Sequence, residues 1–275
     1  MESTSSADTA GALPVSLGQL AVAYGFMLLS VMAIWLFEIG IELDMVWASL
    51  RAAVQLLLVG LVLRWIFAAN LPLLVFLAVS IMTLVAAWTA SQRMHRPIPG
   101  MFVAVLVSLL SGAGFVIVQT TWTVIGVKPF WMPRYFIPLS GMILGNAMNT
   151  VALLGERLQS EVSSHEKEIE ELLSIGASPK QAIAPALRAS LRSALIPVVN
   201  SMLTVGLVSL PGMMTGQIVG NGSTDTAARY QIVVYYMITA GSTLSASLLA
   251  LLTYGKFFDH NSWRLVRETY TSGAS

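Results

Sequence analysis

Seven times along its 275 residues the chain runs for about twenty residues with almost no charge, the length a helix needs to cross the roughly 30 Å hydrocarbon core of a bilayer. The runs lie at about 17–37, 46–67, 71–91, 101–121, 134–154, 194–219 and 231–254. The second holds Arg51 near one end and Arg64 near the other, and Glu38, Glu42 and Asp44 crowd the turn before it. Each run has to be helical, because hydrocarbon offers an open backbone no partner. Charged residues make up 11% of the chain, too few to cover a water-soluble surface, which averages about 25%. The expected fold is therefore all-α, a polytopic membrane helix bundle.

Loop charges set the expected orientation. With the N-terminus outside, the inner loops receive Arg51, Arg93, Arg96, Arg157, Lys167, Lys180, Arg188, Arg192, Lys256, Arg264 and Arg267, and the outer loops only Arg64, Lys128, Arg134 and Arg229. That excess on one side predicts N-out and C-in. Residues 1–14 read as a disordered outer tail, 15–256 as the transmembrane domain and 257–275 as a cytoplasmic tail. The first Arg is Arg51, so no basic segment precedes the first apolar run and a cleaved signal peptide is not expected.

Several function classes are disfavoured. A net charge of +1 with scattered basic residues points to no nucleic-acid partner. Without cysteine there is no disulfide and no thiolate chemistry. No phosphate-binding loop is present: Gly255-Lys256-Phe257 lacks the preceding glycine and the hydroxyl. ATP and magnesium are thus expected on a separate chain, with no cofactor on this one. His95, His165 and His260 fall in predicted loops without metal-site spacing and read as solvated. No serine-hydrolase motif occurs. No carboxylate or histidine lies deep in a predicted span, which argues against proton or sodium coupling and against a tight site for hard iron. There is no internal repeat of the kind many secondary carriers show.

The longest polar connection, 156–193, reads as a helix, a hinge and a second helix. Leu158, Val162, Ile169, Leu172 and Leu173 share one face. Glu156, Glu161, Glu166, Glu168, Glu170 and Glu171 are six of the fourteen acidic residues. Gly176 is a natural helix stop. Ser178, Pro179 and Gln181 supply an N-cap, a first-turn proline and the third-position partner of a capping box. Pro197 is expected to kink the second helix as it enters the bilayer. An amphipathic helix lying on lipid would carry Lys and Arg on its polar face. Glutamates fit a protein partner better.

Within the membrane, Met142, Asn146 and Asn149 share a face of the fifth run, beside a Gly141/Gly145 close-packing pair. In the sixth, Asn200, Thr204 and Ser209 precede a break at Pro211-Gly212, followed by Met213 and Met214. These residues read either as a translocation path, with sulfur open to a soft metal, or simply as packing with bonded amides. Arg51 and Gln55, one turn apart, are candidates for a conformational contact with an acidic loop residue.

Glu170-Glu171-Leu172, followed after three residues by Gly176-Ala177-Ser178-Pro179, resembles the coupling motif of bacterial ABC permeases. Here Glu171 and Leu172 replace two alanines, and Ala194-Leu195-Ile196-Pro197 stands in for a displaced downstream element. Together with Arg51-Ala52-Ala53-Val54-Gln55-Leu56, with 141–148 and with 206–216, the chain from about Leu43 to Lys256 resembles the FetB family of iron-export permeases, which includes plant aluminium-tolerance membrane subunits. The resemblance implies a homodimer in the cell membrane, paired with two copies of a cytoplasmic ABC ATPase that docks at Glu168, Glu170, Glu171, Leu172, Gly176, Ala177, Ser178 and Pro179. It implies export of a metal, with a nucleotide sugar as the alternative substrate in the plant branch. An ATP-independent channel or carrier is the competing class.

Overall fold

The computed structural model describes residues 16–94, 98–259, 264–266 and 269. The expected outer tail, His95, Arg96, His260 and Arg267 lie outside the described residues. Among the described residues, seven helices are long and apolar enough to cross a membrane, and the fold is the expected polytopic bundle. They are α1 (Leu17–Leu36), α2 (Glu42–Ala69), α3 (Pro72–Gln92), a composite fourth span Met101–Val124, α6 (Pro133–Ser164), α8 (Pro179–Thr204) and α10 (Thr224–Thr253). Pro72, Pro133 and Pro179 each occupy the first helical position, where the missing N–H costs nothing. Two of the acidic residues expected in the turn before the second span, Glu42 and Asp44, instead form the first turn of α2. There they face the positive end of the helix dipole.

The fourth span is α4 (Met101–Ser108) and α5 (Gly114–Gln119), each followed by a π-helical turn, Leu109–Ala113 and Thr120–Val124. Wide turns of this kind mark local insertions in a helix. The first brings Gly112 against α10 so closely that a Cβ there would stand 2.5 Å from the Ser245 backbone nitrogen.

The centre of the bundle is α6, which packs against α3, α8 and α10. Ile143, Ala147, Val151, Leu154, Leu158 and Val162 are buried along it at three- and four-residue spacing, the stripe that one helix face presents. The helix is 32 residues long, about 48 Å at 1.5 Å per residue. It therefore runs well past a bilayer core instead of ending near Leu154. The expected first helix of the elbow is thus divided. Its start is the end of α6, and a break at His165 separates it from α7 (Glu166–Ser174).

By contrast α1 and α2 pair with each other, and the pair meets the rest of the bundle mainly where α2 touches α6. Almost none of their apolar surface is buried within the chain. The sixth span is discontinuous. Helix α8 continues through Pro185 and Pro197 and ends at Thr204. A turn at 205–211 follows, then α9 (Gly212–Val219), which lies on α10. The interruption was expected at Pro211-Gly212 but begins six residues earlier. Gly206 takes φ +80°, a region glycine reaches without strain, and Gly206 N–H and Val208 N–H close the turn on Ser209 O and Thr204 O.

After a 3₁₀ turn, Tyr254–Phe257, the chain folds back on the bundle. Phe257, Phe258, Leu265 and Thr269 are buried, and Gln159 Nε2 donates to Thr269 O at 3.1 Å.

Candidate functional site

Two features stand out, one inside the bundle and one at the end where α6 leaves it. The inner one is a cavity of about 490 Å³ between α6, α8, α9 and α10. It lies where α8 stops short, so the broken sixth span makes the space. Six of the ten expected path residues line it: Met142, Asn146 and Asn149 from α6, and Pro211, Gly212 and Met213 at the start of α9. Asn200, Thr204, Ser209 and Met214 are not on its wall. Thr204 Oγ1 donates to Asn200 O at 3.0 Å, a bond within the helix. Of the close-packing pair, Gly141 does meet Met82, whereas a Cβ on Gly145 would meet open space.

Asn146 Nδ2 donates to Met142 O at 2.8 Å, which ties the amide to its own helix and leaves its oxygen unengaged. Asn149 Oδ1 accepts from Arg93 Nη1 at 3.3 Å, so a guanidinium stands directly behind the wall. The structure adds residues that spacing along the sixth run did not reveal: Thr150, Ser201, Gln231 and Tyr235. Gln231 marked only the edge of the last apolar run, and its partners come from other helices. It is buried, with 6% of its surface exposed, and its Oε1 has no hydrogen-bond partner among the described residues. An orphaned buried acceptor is uncommon and costs about 1–3 kcal/mol.

The outer feature is the elbow. Helix α7 stops just before Gly176, whose φ of +94° is left-handed. Ala177 N–H closes on Leu172 O at 3.0 Å and Gly176 N–H on Leu173 O at 3.1 Å, the bonding of a glycine helix stop. Ser178 then caps α8: Gln181 N–H donates to Ser178 Oγ at 3.4 Å, and Ser178 N–H donates to Gln181 Oε1 at 2.9 Å. Ile169 pins α7 to the bundle from its buried face. The expected coupling residues divide between two concave faces. Gly176, Ala177, Ser178 and Pro179 line one, together with Arg264. Glu168, Glu171 and Leu172 line the other, and Glu170 borders both.

Arg51 and Gln55 are exposed on α2, and neither has a hydrogen-bond partner among the described residues. Among the described residues the expected contact with an acidic loop residue is not made. Among the described residues no three of His, Asp and Glu converge on a metal-sized site.

Comparison with known proteins decides the family. The model of UPF0014, described as an uncharacterised protein family, matches residues 17–258. The chain belongs to the UPF0014 family. It is 38% identical over 240 residues to the "Probable iron export permease protein FetB" of Escherichia coli, covering 87% of this chain and 91% of that one. It is 38% identical over 221 residues to the UPF0014 membrane protein STAR2 of rice, covering 80% and 76%. It is 35% identical over 238 residues to the protein ALUMINUM SENSITIVE 3 of Arabidopsis thaliana, covering 86% of each. No solved structure matches the chain. The UPF0014 match spans both the cavity and the elbow.

Proposed function

We propose that this UPF0014 chain is the membrane-spanning subunit of an ABC transporter in the cell membrane, exporting a metal, iron first among candidates. The energy comes from ATP hydrolysed with magnesium on a separate ATPase subunit. The observation that carries the reading is the elbow. A short acidic helix and a capped helix start are joined by a glycine stop, with no long flexible linker on either side. A force applied to α7 passes directly into α8, which ends at the cavity. Opening and closing of the cavity around the 205–211 turn would follow from that movement. The iron assignment draws on the likeness to the Escherichia coli permease, and the cavity is the place for its cargo.

A homodimer with N-termini outside and C-termini and elbow in the cytoplasm fits the same reading. Uncovered α1 and α2 supply surface for a second copy or for lipid, and Arg51 and Gln55 are exposed on that surface. The native chain has no cysteine, so a single introduced one reports position cleanly. Ala177→Cys should crosslink to the ATPase subunit, and Leu207→Cys, in the turn beyond the far end of α8, should not. No crosslink from Ala177→Cys in a preparation active in ATP-driven transport would overturn the proposal.

A further inference from the structure

We infer that the surface receiving the ATPase is composite: the folded-back C-terminal segment joins the elbow there, and Arg264 holds a carboxylate of the ATPase. The inference rests on the ABC permease reading and adds to its docking surface a second contact, of opposite charge.

In place of the expected tail, the described residues beyond α10 are fixed to the bundle. Phe257, Phe258, Leu265 and Thr269 are buried. Asp259 N–H donates to Arg264 O at 2.8 Å and Val266 N–H to Phe257 O at 2.9 Å, and Phe258 and Leu265 pair as an antiparallel bridge. From α6, the buried Gln159 amide donates to Thr269 O at 3.1 Å. Successive side chains of an extended chain point to opposite sides. Leu265 takes the buried side, and Arg264 is left exposed.

Arg264 lines a concavity of about 880 Å³ together with Glu170 and Ser174 of α7 and residues 176–179 of the hinge. That volume lies in the roughly 300–1,000 Å³ range of sites that enclose whole ligands, so it admits a protruding element of a partner. Although Glu170 borders the same space, the Arg264 guanidinium makes no hydrogen bond or ion pair among the described residues. A guanidinium presents a planar fork of N–H donors that matches a carboxylate in charge and shape. The backbone carrying it is already ordered, so the contact forms without the entropy cost of fixing a loose chain.

The surroundings of Arg264 select the class of partner. Anionic lipid attracts an isolated arginine, but Glu168, Glu170 and Glu171 outnumber Lys167 on and beside this concavity and repel such headgroups. Ile175 is 82% exposed on the adjoining face. An exposed apolar side chain within a charged rim is the make-up of a protein interface. A protein with basic groups for the glutamates and an acidic group for Arg264 matches all of these features.

The test uses the full chain with its ATPase in nanodiscs of phosphatidylcholine, with and without phosphatidylglycerol. Arg264→Glu should weaken ATPase binding at least about tenfold in both lipids, and Arg264→Lys should weaken it less. Arg264→Cys should crosslink to the ATPase as Ala177→Cys does. Arg264 is exposed and bonded only through its backbone, so melting of the permease alone should not move with any of the three. Should Arg264→Glu shift melting all the same, the Arg264→Cys crosslink decides. ATPase affinity untouched by Arg264→Glu, or no crosslink from Arg264→Cys where Ala177→Cys does crosslink, overturns the inference and leaves the elbow reading standing. A loss confined to discs with phosphatidylglycerol assigns Arg264 to lipid and overturns it as well. If neither cysteine crosslinks and the unmodified chain binds no ATPase, the permease reading falls and the inference falls with it.

Discussion

The elbow and the cavity solve opposite problems. The elbow is acidic, solvent-facing and built from signals within a few residues of one another: a left-handed Gly176, a Ser178 capping box and Pro179 at the first helical position. The cavity is neutral, enclosed by four helices, and depends on residues as far apart as Met142 and Tyr235. The elbow's helix stop and the start of α8 are closed by hydrogen bonds. The cavity has an uncapped helix start on its wall, and an unpaired amide oxygen is buried beside it. Stiffness and incompleteness are divided between the two ends of one helix, α8.

The largest effect should come from reversing charge at the elbow. Glu168→Lys, Glu170→Lys and Glu171→Lys combined should cut ATPase co-purification by at least about tenfold while cargo binding in the cavity stays unchanged. A parallel loss at both places would show that the two regions are not separable. Next, Gln231→Met removes the orphaned acceptor. It should raise thermal stability by about 1–3 kcal/mol yet lower transport; measured melting and flux should move in opposite directions. Gly176→Ala forces a Cβ into a left-handed position and should destabilise by roughly 1–2 kcal/mol, with coupling lost before cargo binding. The smallest effect is Ser178→Ala, which deletes a cap worth about 1 kcal/mol. ATP turnover per transported ion should rise, with little change in melting of the transmembrane core.

The same contrast explains what could be read from the sequence. Seven spans were legible because hydrocarbon imposes length and apolarity on each one separately, and the elbow was legible because its stop and cap are local. Limits between elements were less so. Glu156 and Arg157 suggested that α6 ends near Leu154, but buried Leu158, Gln159 and Val162 carry it on to Ser164. Pro211 suggested where the sixth span breaks, but Gly206 breaks it first. The cavity was half visible: helical spacing found Met142, Asn146 and Asn149 on one face. Gln231 and Tyr235 could not be found that way, since their significance comes from α10 lying beside α6 and α9, a contact that no periodicity within a single segment encodes. Asn200 and Thr204 shared a face as expected, yet that face does not meet the cavity.

The most direct test of the central claim is flux through proteoliposomes holding this chain and its ATPase, measured with and without ATP and with Glu168, Glu170 and Glu171 intact or reversed. The account predicts cargo movement only with ATP and only with the elbow glutamates in place. Equal flux without the ATPase, or flux untouched by charge reversal, would contradict it.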